Sequence, residues 1–522
     1  MGRRCPRRIP SGFFRWVNED GLEPLNFFGI PGMTWASALK SLDKNHFIHL
    51  IRDDQMYKFF EAAIRGGITF VNKHLVYCHD NEEFLYIDIN NLYGWAMSQK
   101  LPCGFFRWVT EDSELAKMMS IVTQSGRGAL DALDDKIGYT IEVDLLVPDS
   151  VMDKLNDLPV APINECPPNS NVRKLLLTHT PKTNYIVHAK LLRYWMSLGV
   201  VVTKVHRAIR YHQEFIFKKY IDYNTSKRKA ATTKFDKEFY KLRNNALYGK
   251  TVENLKKRIN LRLVTTERQL VTYASNPRFR RSIRISENLV ACLLRKDEIE
   301  LDRPSYIGQT VLDISKLRMY QLQYEDLERY RKDFKCEIDI VAGDTDSFFL
   351  QCRNVDLTEL LKKMQRDELL DTSNYPTSHP LYSNALDSKL GLFKDEAKGD
   401  RFKEWIFLRP KCYSLLKESL EETLKSKGVM LKGSAITHDR YLWAYLSGEK
   451  ETIPQTRFGT KNHQLFTLRY SKVATYCFDD KRCWTSRNES VPYGHYSIRD
   501  RDDQAQEMDL TTTTTTQHNT IN

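Results

Sequence analysis

The sequence predicts an α+β protein built around an antiparallel sheet. Phe84–Ile89 is apolar and rich in β-prone residues, and Glu337–Val341 and Phe348–Gln351 have the pattern of two strands joined by a short polar turn. Tyr211–Gly249 has the residue spacing of a largely helical stretch. Strands and helices follow one another without a regular β–α alternation, which favours an antiparallel sheet with helices packed against it.

The composition is that of an ordinary globular protein with a basic excess. The chain has 522 residues, enough for several domains and a large core, and its net charge is +12. No apolar stretch of about 18 residues occurs, so no membrane span is expected. A basic excess suits a polyanionic partner such as nucleic acid. It is densest from Lys218 to Arg258, with thirteen Lys or Arg against four acids, where the alternative is a solvated helix face.

The cysteines and the amino terminus indicate an intracellular protein. None of the ten cysteines forms a CxxC pair or stands at zinc-finger spacing from histidines, which is typical of reduced thiols. Met1 to Pro10 carries four arginines, but no apolar run follows, so a secretory signal is not expected.

The first chemically informative segment is FLYIDINNLYGWAMS. The strand Phe84–Ile89 delivers Asp88 near its end, where a rigid backbone fixes the position of a carboxylate. Such an acid suits a metal ligand. A helix cap or a surface acid is the more common explanation of a single acid at a strand end.

The second segment is IDIVAGDTDSFFL. Asp344 and Asp346 are two residues apart in a turn between two apolar strands, so their charges repel each other unless a cation neutralises them. Carboxylates held in this way suit a hard cation such as Mg²⁺. An ordinary Asp-rich turn is the alternative.

The third segment, KEFYKLRNNALYGKT, predicts a helix with two functional faces. Its apolar face is Phe235, Phe239, Leu242 and Ala246, which we expect to pack against the core. The opposite face presents two cations, an amide and a phenol, which suit phosphates and a nucleic-acid base; these residues are Lys237, Lys241, Asn245 and Tyr248. Gly249 then provides a plausible helix end. A solvated surface helix is the alternative.

In the fourth segment, WIFLRPKCYSLL, a strand would place Lys411 and Tyr413 on one face, where they could contact a nucleic-acid backbone.

Together and in this order, the four segments resemble the motifs of family B DNA polymerases. The family patterns DxxSLYP, KxxxNSxYG, YxDTDS and KxY match Asp88–Gly94, Lys241–Gly249, Ala342–Ser347 and Lys411–Tyr413. Four positions depart from the patterns: Asn91 and Ala246 replace Ser, Gly94 replaces Pro, and Ala342 replaces Tyr. The resemblance is greatest to the protein-primed branch, including the polymerases of Maverick or Polinton transposons and related viruses, and it covers about Pro31 to Tyr496.

The resemblance implies a right-hand fold with palm, fingers and thumb, and it implies a role for each motif residue. Asp88, Asp344 and Asp346 would be catalytic and would hold two Mg²⁺ ions, with Mn²⁺ as a substitute. Tyr93 would exclude a ribose 2′-hydroxyl. The remaining substrate contacts would come from Lys229, Lys237, Lys241, Asn245 and Tyr248. Lys411 and Tyr413 would hold the primer end, and Arg65, Gly66 and Gly67 would bind the template as a YxGG motif in which Ile64 replaces the Tyr.

The resemblance also implies a domain plan. Its parts are a truncated amino-terminal remnant (1–45), palm with the first catalytic Asp (46–110), an insertion resembling the terminal-protein region (111–205), fingers (206–255), a second insertion (256–300), palm with the DTDS turn and KxY (301–415), a thumb with the carboxy-terminal region (416–500) and a disordered tail (501–522). Too little chain precedes Asp88 for a proofreading exonuclease domain, so no 3′-to-5′ degradation is expected.

The implied function is DNA-directed DNA polymerisation in the replication of a virus-like mobile element. The expected partners are template and primer DNA, deoxynucleoside triphosphates and a terminal protein primer, with no membrane, and the expected place is the nucleus or a viral replication site. A catalytically silent DNA-binding remnant is the alternative. A reverse transcriptase is disfavoured because it would show two adjacent acids where DTDS separates them.

Two further stretches are unusual. Arg8–Asp20 repeats Lys100–Asp112 with nine identities in thirteen, and we assign the first copy no function. Pro159–Asn171 is rich in Pro and Asn and is a candidate linker.

Overall fold

The computed structural model describes residues 17–27, 29–123, 136–461 and 464–500, and it is an α+β structure as expected. The helices are α1 Ile30–Lys40, α2 Asp54–Ala62, α3 Leu92–Met97, α4 Asp112–Thr123, α5 Asp149–Met152, α6 Ala189–Ser197, α7 Lys218–Ala230, α8 Lys234–Thr251, α9 Glu267–Ala274, α10 Ser305–Gln321, α11 Leu327–Phe334, α12 Leu357–Arg366 and α13 His438–Ser447.

The strands are mostly short and antiparallel. They are β1 Thr69–Val71, β2 Leu75–Tyr77, β3 Glu82–Ile89, β4 Leu101–Val109, β5 Ile137–Leu146, β6 Ile163–Glu165, β7 Lys174–Leu176, β8 Lys182–His188, β9 Val201–Glu214, β10 Ile259–Val264, β11 Phe279–Ser286, β12 Leu289–Arg295, β13 Glu337–Asp344, β14 Ser347–Arg353, β15 Leu370–Asp371, β16 Phe393–Asp395, β17 Phe402–Arg409, β18 Cys412–Lys417, β19 Glu422–Ser426, β20 Glu451–Lys461, β21 Gln464–Thr475, β22 Cys483–Trp484 and β23 Ser490–Val491.

The central sheet has six strands in the order β1-β13-β14-β3-β16-β15, and only the β15–β16 pair is parallel. The three predicted strands are confirmed as β3, β13 and β14. Both faces of β14 are buried, because successive side chains point to opposite sides. Phe348 packs in one cluster with Tyr320 and Leu360, whereas Phe349 packs against Tyr413 of the neighbouring sheet β19-β18-β17-β2, at 5.1 Å between ring centroids.

A separate four-stranded sheet, in the order β4-β9-β5-β8, runs from Leu101 to Glu214. It therefore extends past both ends of the predicted 111–205 insertion. The prediction of helix from Tyr211 is wrong for the first seven residues, because the long strand β9 runs to Glu214 and α7 begins only at Lys218. The helical region then consists of two helices, α7 and α8, and the Thr233 side chain caps the second by accepting from the Asp236 amide at 3.1 Å.

The packed face of α8 differs from the predicted one. Phe239 is buried as expected, but Phe235 is 53% exposed and Leu242 is 43% exposed. Arg243 and Leu247 are buried in their place. The face is set by contact with α1, a partner that the local spacing of apolar residues does not reveal.

The amino-terminal segment holds this buried face of α8. The Arg243 guanidinium, only 1% exposed, lies 3.0 Å from Asp20 and 3.4 Å from Glu19, and the Tyr240 hydroxyl donates to Glu19 at 2.8 Å. Glu19 and Asp20 are the last two residues of the first repeat copy, and its residues before Val17 lie outside the described part. The second copy contains β4.

The candidate linker after Pro159 is wrong, because the beginning of that segment is packed. Val160 and Ala161 are buried in the main core. Tyrosine hydroxyls also donate to the backbone there, from Tyr320 to the Pro159 carbonyl at 3.0 Å and from Tyr185 to the Pro162 carbonyl at 2.9 Å.

A carboxy-terminal strap, residues 477–497, returns to the central sheet. Lys481 Nζ donates to the Thr69 carbonyl of β1 at 2.8 Å, and the Asn488 amide accepts from the Leu75 N–H at 2.7 Å and donates to the Leu75 carbonyl at 2.7 Å. The Ser490 hydroxyl donates to the Asn72 carbonyl at 2.9 Å. The strap therefore completes the hydrogen bonding of the loop that joins β1 to β2.

Within the described ranges, no helix is both long and apolar enough to cross a membrane. The nine cysteines of those ranges are free thiols. The threonine-rich tail lies outside the described residues.

Candidate active site

One acid near the end of β3 and one in the turn before β14 line a cleft at the central sheet. Asp88 on β3 is paired with Ser347 on β14, and the Ile89 amide donates to the Asp346 carbonyl at 2.8 Å. The cleft has a volume of about 530 Å³. Its lining residues are Asp88, Ile89, Asn90, Asn91, Leu92, Tyr93, Arg228, Lys241, Asn245, Tyr248, Thr345, Asp346, Lys394 and Glu396. The fold thus gathers six of the residues singled out from sequence, although they lie in three distant segments.

The surroundings of Asp88 and Asp346 disfavour the negative charge of each carboxylate. Burial raises the pKa of Asp88, and the charge of Asp346 raises it further. Burial and the charge of Asp344 likewise raise the pKa of Asp346. Among the described residues, neither Asp88 nor Asp346 has an ion-pair partner. Two half-buried carboxylates without a counterion are the donor set that a hard divalent cation fits.

Asp344 is arranged differently from the other two acids. Its carboxylate forms an ion pair with Lys411 Nζ. Across the described ranges, no group of three or more His, Cys, Asp or Glu side chains is gathered closely enough to hold a metal ion. The structure therefore brings Asp88 and Asp346 together in the cleft and leaves Asp344 engaged with the lysine of the KxY motif.

Lys411 and Tyr413 do not share a strand face. Lys411 lies in the turn between β17 and β18, with a left-handed backbone (φ 64°), so the predicted strand position is wrong for this residue. Tyr413 is in β18 and buried, and burial raises its pKa to about 12. The turn geometry is what lets the lysine reach Asp344.

The loop at Gly67 packs directly on the turn between the two acids. The Thr345 amide donates to the Ile68 carbonyl at 2.8 Å, and Thr345 itself has a left-handed backbone (φ 70°). A Cβ at Gly67 would lie 2.4 Å from Thr345 Cγ2, whereas one at Gly66 would meet nothing within 4 Å. Gly67 is thus required for the close approach of the loop to the turn.

Arg65 turns away from the cleft. Its guanidinium stacks 3.8 Å above the Tyr185 ring and donates to the Ile186 carbonyl at 2.8 Å. The buried Lys316 donates to the Arg65 carbonyl at 2.9 Å, and burial lowers the pKa of this lysine to about 8. These contacts attach the loop to β8 and α10.

The two departures from the DxxSLYP pattern, Asn91 and Gly94, are in contact with each other. Asn91 has a left-handed backbone (φ 49°), and its side chain caps α3 by accepting from the Gly94 amide at 3.1 Å. A Cβ at Gly94 would lie 2.2 Å from Asn91 Nδ2. The two departures from the DxxSLYP pattern are therefore compatible with one another and with the position of Tyr93 in the cleft.

The predicted polar face of α8 lines the opposite wall. Lys241, Asn245 and Tyr248 reach the cleft, and the Tyr248 ring lies 4.6 Å from the Tyr93 ring at 35°. Burial raises the pKa of Tyr93 to about 12, so its hydroxyl is protonated at neutral pH. Lys237, one turn earlier on the helix, is not among the lining residues.

Four lining residues were missed by the motif analysis, namely Asn90, Arg228, Lys394 and Glu396. Lys394 on β16 is paired with Asp88 in the sheet, and its Nζ lies 3.3 Å from the fully buried Asp371. Asp371 also accepts from the Asn90 amide at 2.8 Å. Lys394 and Glu396 lie outside the four motif segments, and only the pairing of β16 with β3 shows that they are near the acids.

Part of the chain matches a known protein family. Residues 26–276 match the family described as DNA polymerase type B, organellar and viral. The match spans 251 of the 522 residues, so this part of the chain is similar to that polymerase family. The matched residues contain Asp88 and the α8 motif, and they end before the DTDS turn. No curated protein matches the sequence.

Solved structures extend the likeness beyond the matched residues. The structure titled phi29 DNA polymerase with primer-template DNA and incoming nucleotide substrates has a TM-score of 0.54 and 15% identity. That match covers 86% of this chain and 68% of the phi29 chain. The phi29 polymerase with primer-template DNA in a post-translocation complex gives 0.54 and 14%, covering 88% and 69%. The fold is therefore that of a right-hand polymerase.

Proposed function

We propose that this protein is a type B DNA polymerase that catalyses template-directed addition of deoxynucleotides to a DNA 3′ end. The observation that supports this most is the position of two half-buried acids without a counterion, Asp88 and Asp346, opposite a wall that presents Lys241, Asn245 and Tyr248. Carboxylates that hold divalent cations, beside a cation and an aromatic ring, suit a nucleoside triphosphate better than a neutral metabolite.

Mg²⁺ fits the acids, and Mn²⁺ would be a substitute. Asp88 and Asp346 would hold two such ions, and Asp344 would join them if Lys411 released its carboxylate. The ions supply charge neutralisation and activation of the primer hydroxyl. The work of the protein is to position the substrates, because little covalent chemistry is required of side chains in phosphoryl transfer.

The remaining roles follow from where each side chain lies. Lys241 would bind the triphosphate, and Tyr93, packed on Tyr248, would press on the sugar and exclude a ribose 2′-hydroxyl. Asn245 would contact the nucleotide or the templating base. Lys411 would move from Asp344 to the primer end.

The biological setting belongs to the same proposal. The resemblance to protein-primed polymerases supports DNA template, primer and deoxynucleotides as partners, and a terminal protein as a primer in replication of a virus-like mobile element. A silent DNA-binding remnant would keep the basic surfaces and lose turnover, and the experiment below separates the two.

The test is primer extension on a primed template with Mg²⁺, comparing wild type with Asp346→Asn. We expect wild type to extend and the variant to lose at least about a thousandfold in rate, because one cation ligand loses its charge. DNA binding, measured by fluorescence anisotropy, should stay within about threefold, since it rests on many dispersed basic contacts. Extension by the variant within tenfold of wild type would contradict the assignment of the acids.

A further inference from the structure

The end of helix α7 carries three consecutive cations, Lys227, Arg228 and Lys229, whose side chains have different surroundings. Lys227 lies near the Tyr223 ring, with 5.5 Å between its Nζ and the ring centroid. Arg228 lines the cleft that contains Asp88 and Asp346. Lys229 lines a different cavity beside Asp387. Consecutive helical residues differ by about 100° in direction, so Arg228 and Lys229 cannot serve the same cleft.

Lys229 is already engaged by the protein. Its Nζ lies 3.4 Å from the Asp387 carbonyl and 3.9 Å from the Asp387 carboxylate. That carboxylate is itself fixed by the Ser388 hydroxyl at 2.7 Å and the Ser373 hydroxyl at 3.2 Å. The contact thus connects α7 to the loop that precedes β16, outside the cleft of the acids.

Arg228 has no such partner. Among the described residues, no ion pair or side-chain hydrogen bond engages its guanidinium, although it stands beside a cleft that contains three acids. The cations lining that cleft are Arg228, Lys241 and Lys394, and Lys394 is held by Asp371. Arg228 and Lys241 therefore remain available to an anionic substrate.

We infer that Arg228, rather than Lys229, is the second cation that binds the triphosphate of the incoming nucleotide, alongside Lys241. This inference rests on the proposed function and names a residue of its substrate site. A guanidinium offers two parallel donors to phosphate oxygens, which a lysine cannot do. Arg228 follows Lys227 near the end of α7, five residues before the Thr233 cap of α8.

The experiment compares Arg228→Ala, Arg228→Lys and Lys229→Ala, with Lys227→Ala as the control that removes one charge from the same helix turn. We expect Arg228→Ala to raise KM for deoxynucleotides at least about tenfold, as loss of a charge-assisted hydrogen bond predicts, with kcat within about threefold. Arg228→Lys should recover part of the loss, because it restores the charge but not the fork. Lys227→Ala and Lys229→Ala should stay within about twofold of wild type.

A second measurement uses inorganic tripolyphosphate with Mg²⁺, which lacks base and sugar. Its Kd, from titration calorimetry, should rise in Arg228→Ala by about the same factor as the nucleotide KM. This binding measurement does not require turnover, so it also tests the inference if wild type fails to extend primers. Failure of wild type to extend primers would overturn only the proposed function. Unchanged tripolyphosphate affinity in Arg228→Ala, or an increase in KM confined to Lys229→Ala, would overturn the role of Arg228.

Discussion

Replacing Gly67 by Ala tests whether the loop at Gly67 positions the acids. The added methyl would lie 2.4 Å from Thr345 Cγ2, and ordinary contact begins near 3.4 Å, so one of the two must move by about 1 Å. Thr345 cannot move alone, because its amide is bonded to the Ile68 carbonyl and its neighbours are Asp344 and Asp346. A displacement of about 1 Å at reacting groups costs about a hundredfold in rate.

The assay is single-turnover extension of a primed template, together with a melting curve for each variant. We expect Gly67→Ala to lose about a hundredfold in rate while overpacking costs about 1–3 kcal/mol of stability, too little to unfold the chain. Gly66→Ala is the matched control, since its methyl meets no atom within 4 Å, and it should stay within about threefold. Adding Thr345→Ser to Gly67→Ala removes Cγ2 and should restore part of the rate. Wild-type rates in Gly67→Ala would refute the reasoning.

Two further predictions concern the wall of the cleft and the segment behind it. Tyr93→Val should raise ribonucleotide incorporation relative to deoxynucleotide incorporation at least about tenfold, because the ring that would exclude the 2′-hydroxyl is lost. An unchanged ratio of the two kcat/KM values would count against that role. Asp20→Asn should lower stability by about 1–3 kcal/mol and the Tm with it, since it weakens the pairing of a buried guanidinium. The control Asp222→Asn breaks only an exposed pair with Lys218, at 2.8 Å, and should leave the Tm unchanged. Equal Tm values for the two variants would show that the contact of Asp20 with Arg243 carries no stability.

The sequence predicted the parts of the cleft that depend on neighbouring residues. Asp88 at a strand end and Asp346 in a turn follow from local apolar patterns, and the stripe of Lys241 and Tyr248 follows from helical spacing. These features could be predicted because each depends on residues that are close together in the sequence.

The parts that the sequence did not predict depend on contacts between distant segments. Arg228 and Lys229 are both basic, and only the direction of α7 decides which one faces the cleft. Phe235 is exposed because α8 packs on α1 through Arg243, an arrangement that apolar spacing cannot reveal. Lys411 is predicted in a strand because no glycine marks its position as a turn. Its left-handed backbone is one that a lysine rarely adopts.

The carboxy-terminal strap has a consequence for synthesis of the chain. Lys481 donates to Thr69, 412 residues earlier, and the Leu75 amide donates to Asn488, 413 residues later. Strand β1 forms an edge of the central sheet, and an edge carbonyl without a partner invites pairing with other chains. Because the ribosome delivers the amino-terminal side first, this edge must wait through the translation of nearly the whole chain before its hydrogen bonds are complete. A nascent chain stalled before residue 480 would leave this edge exposed.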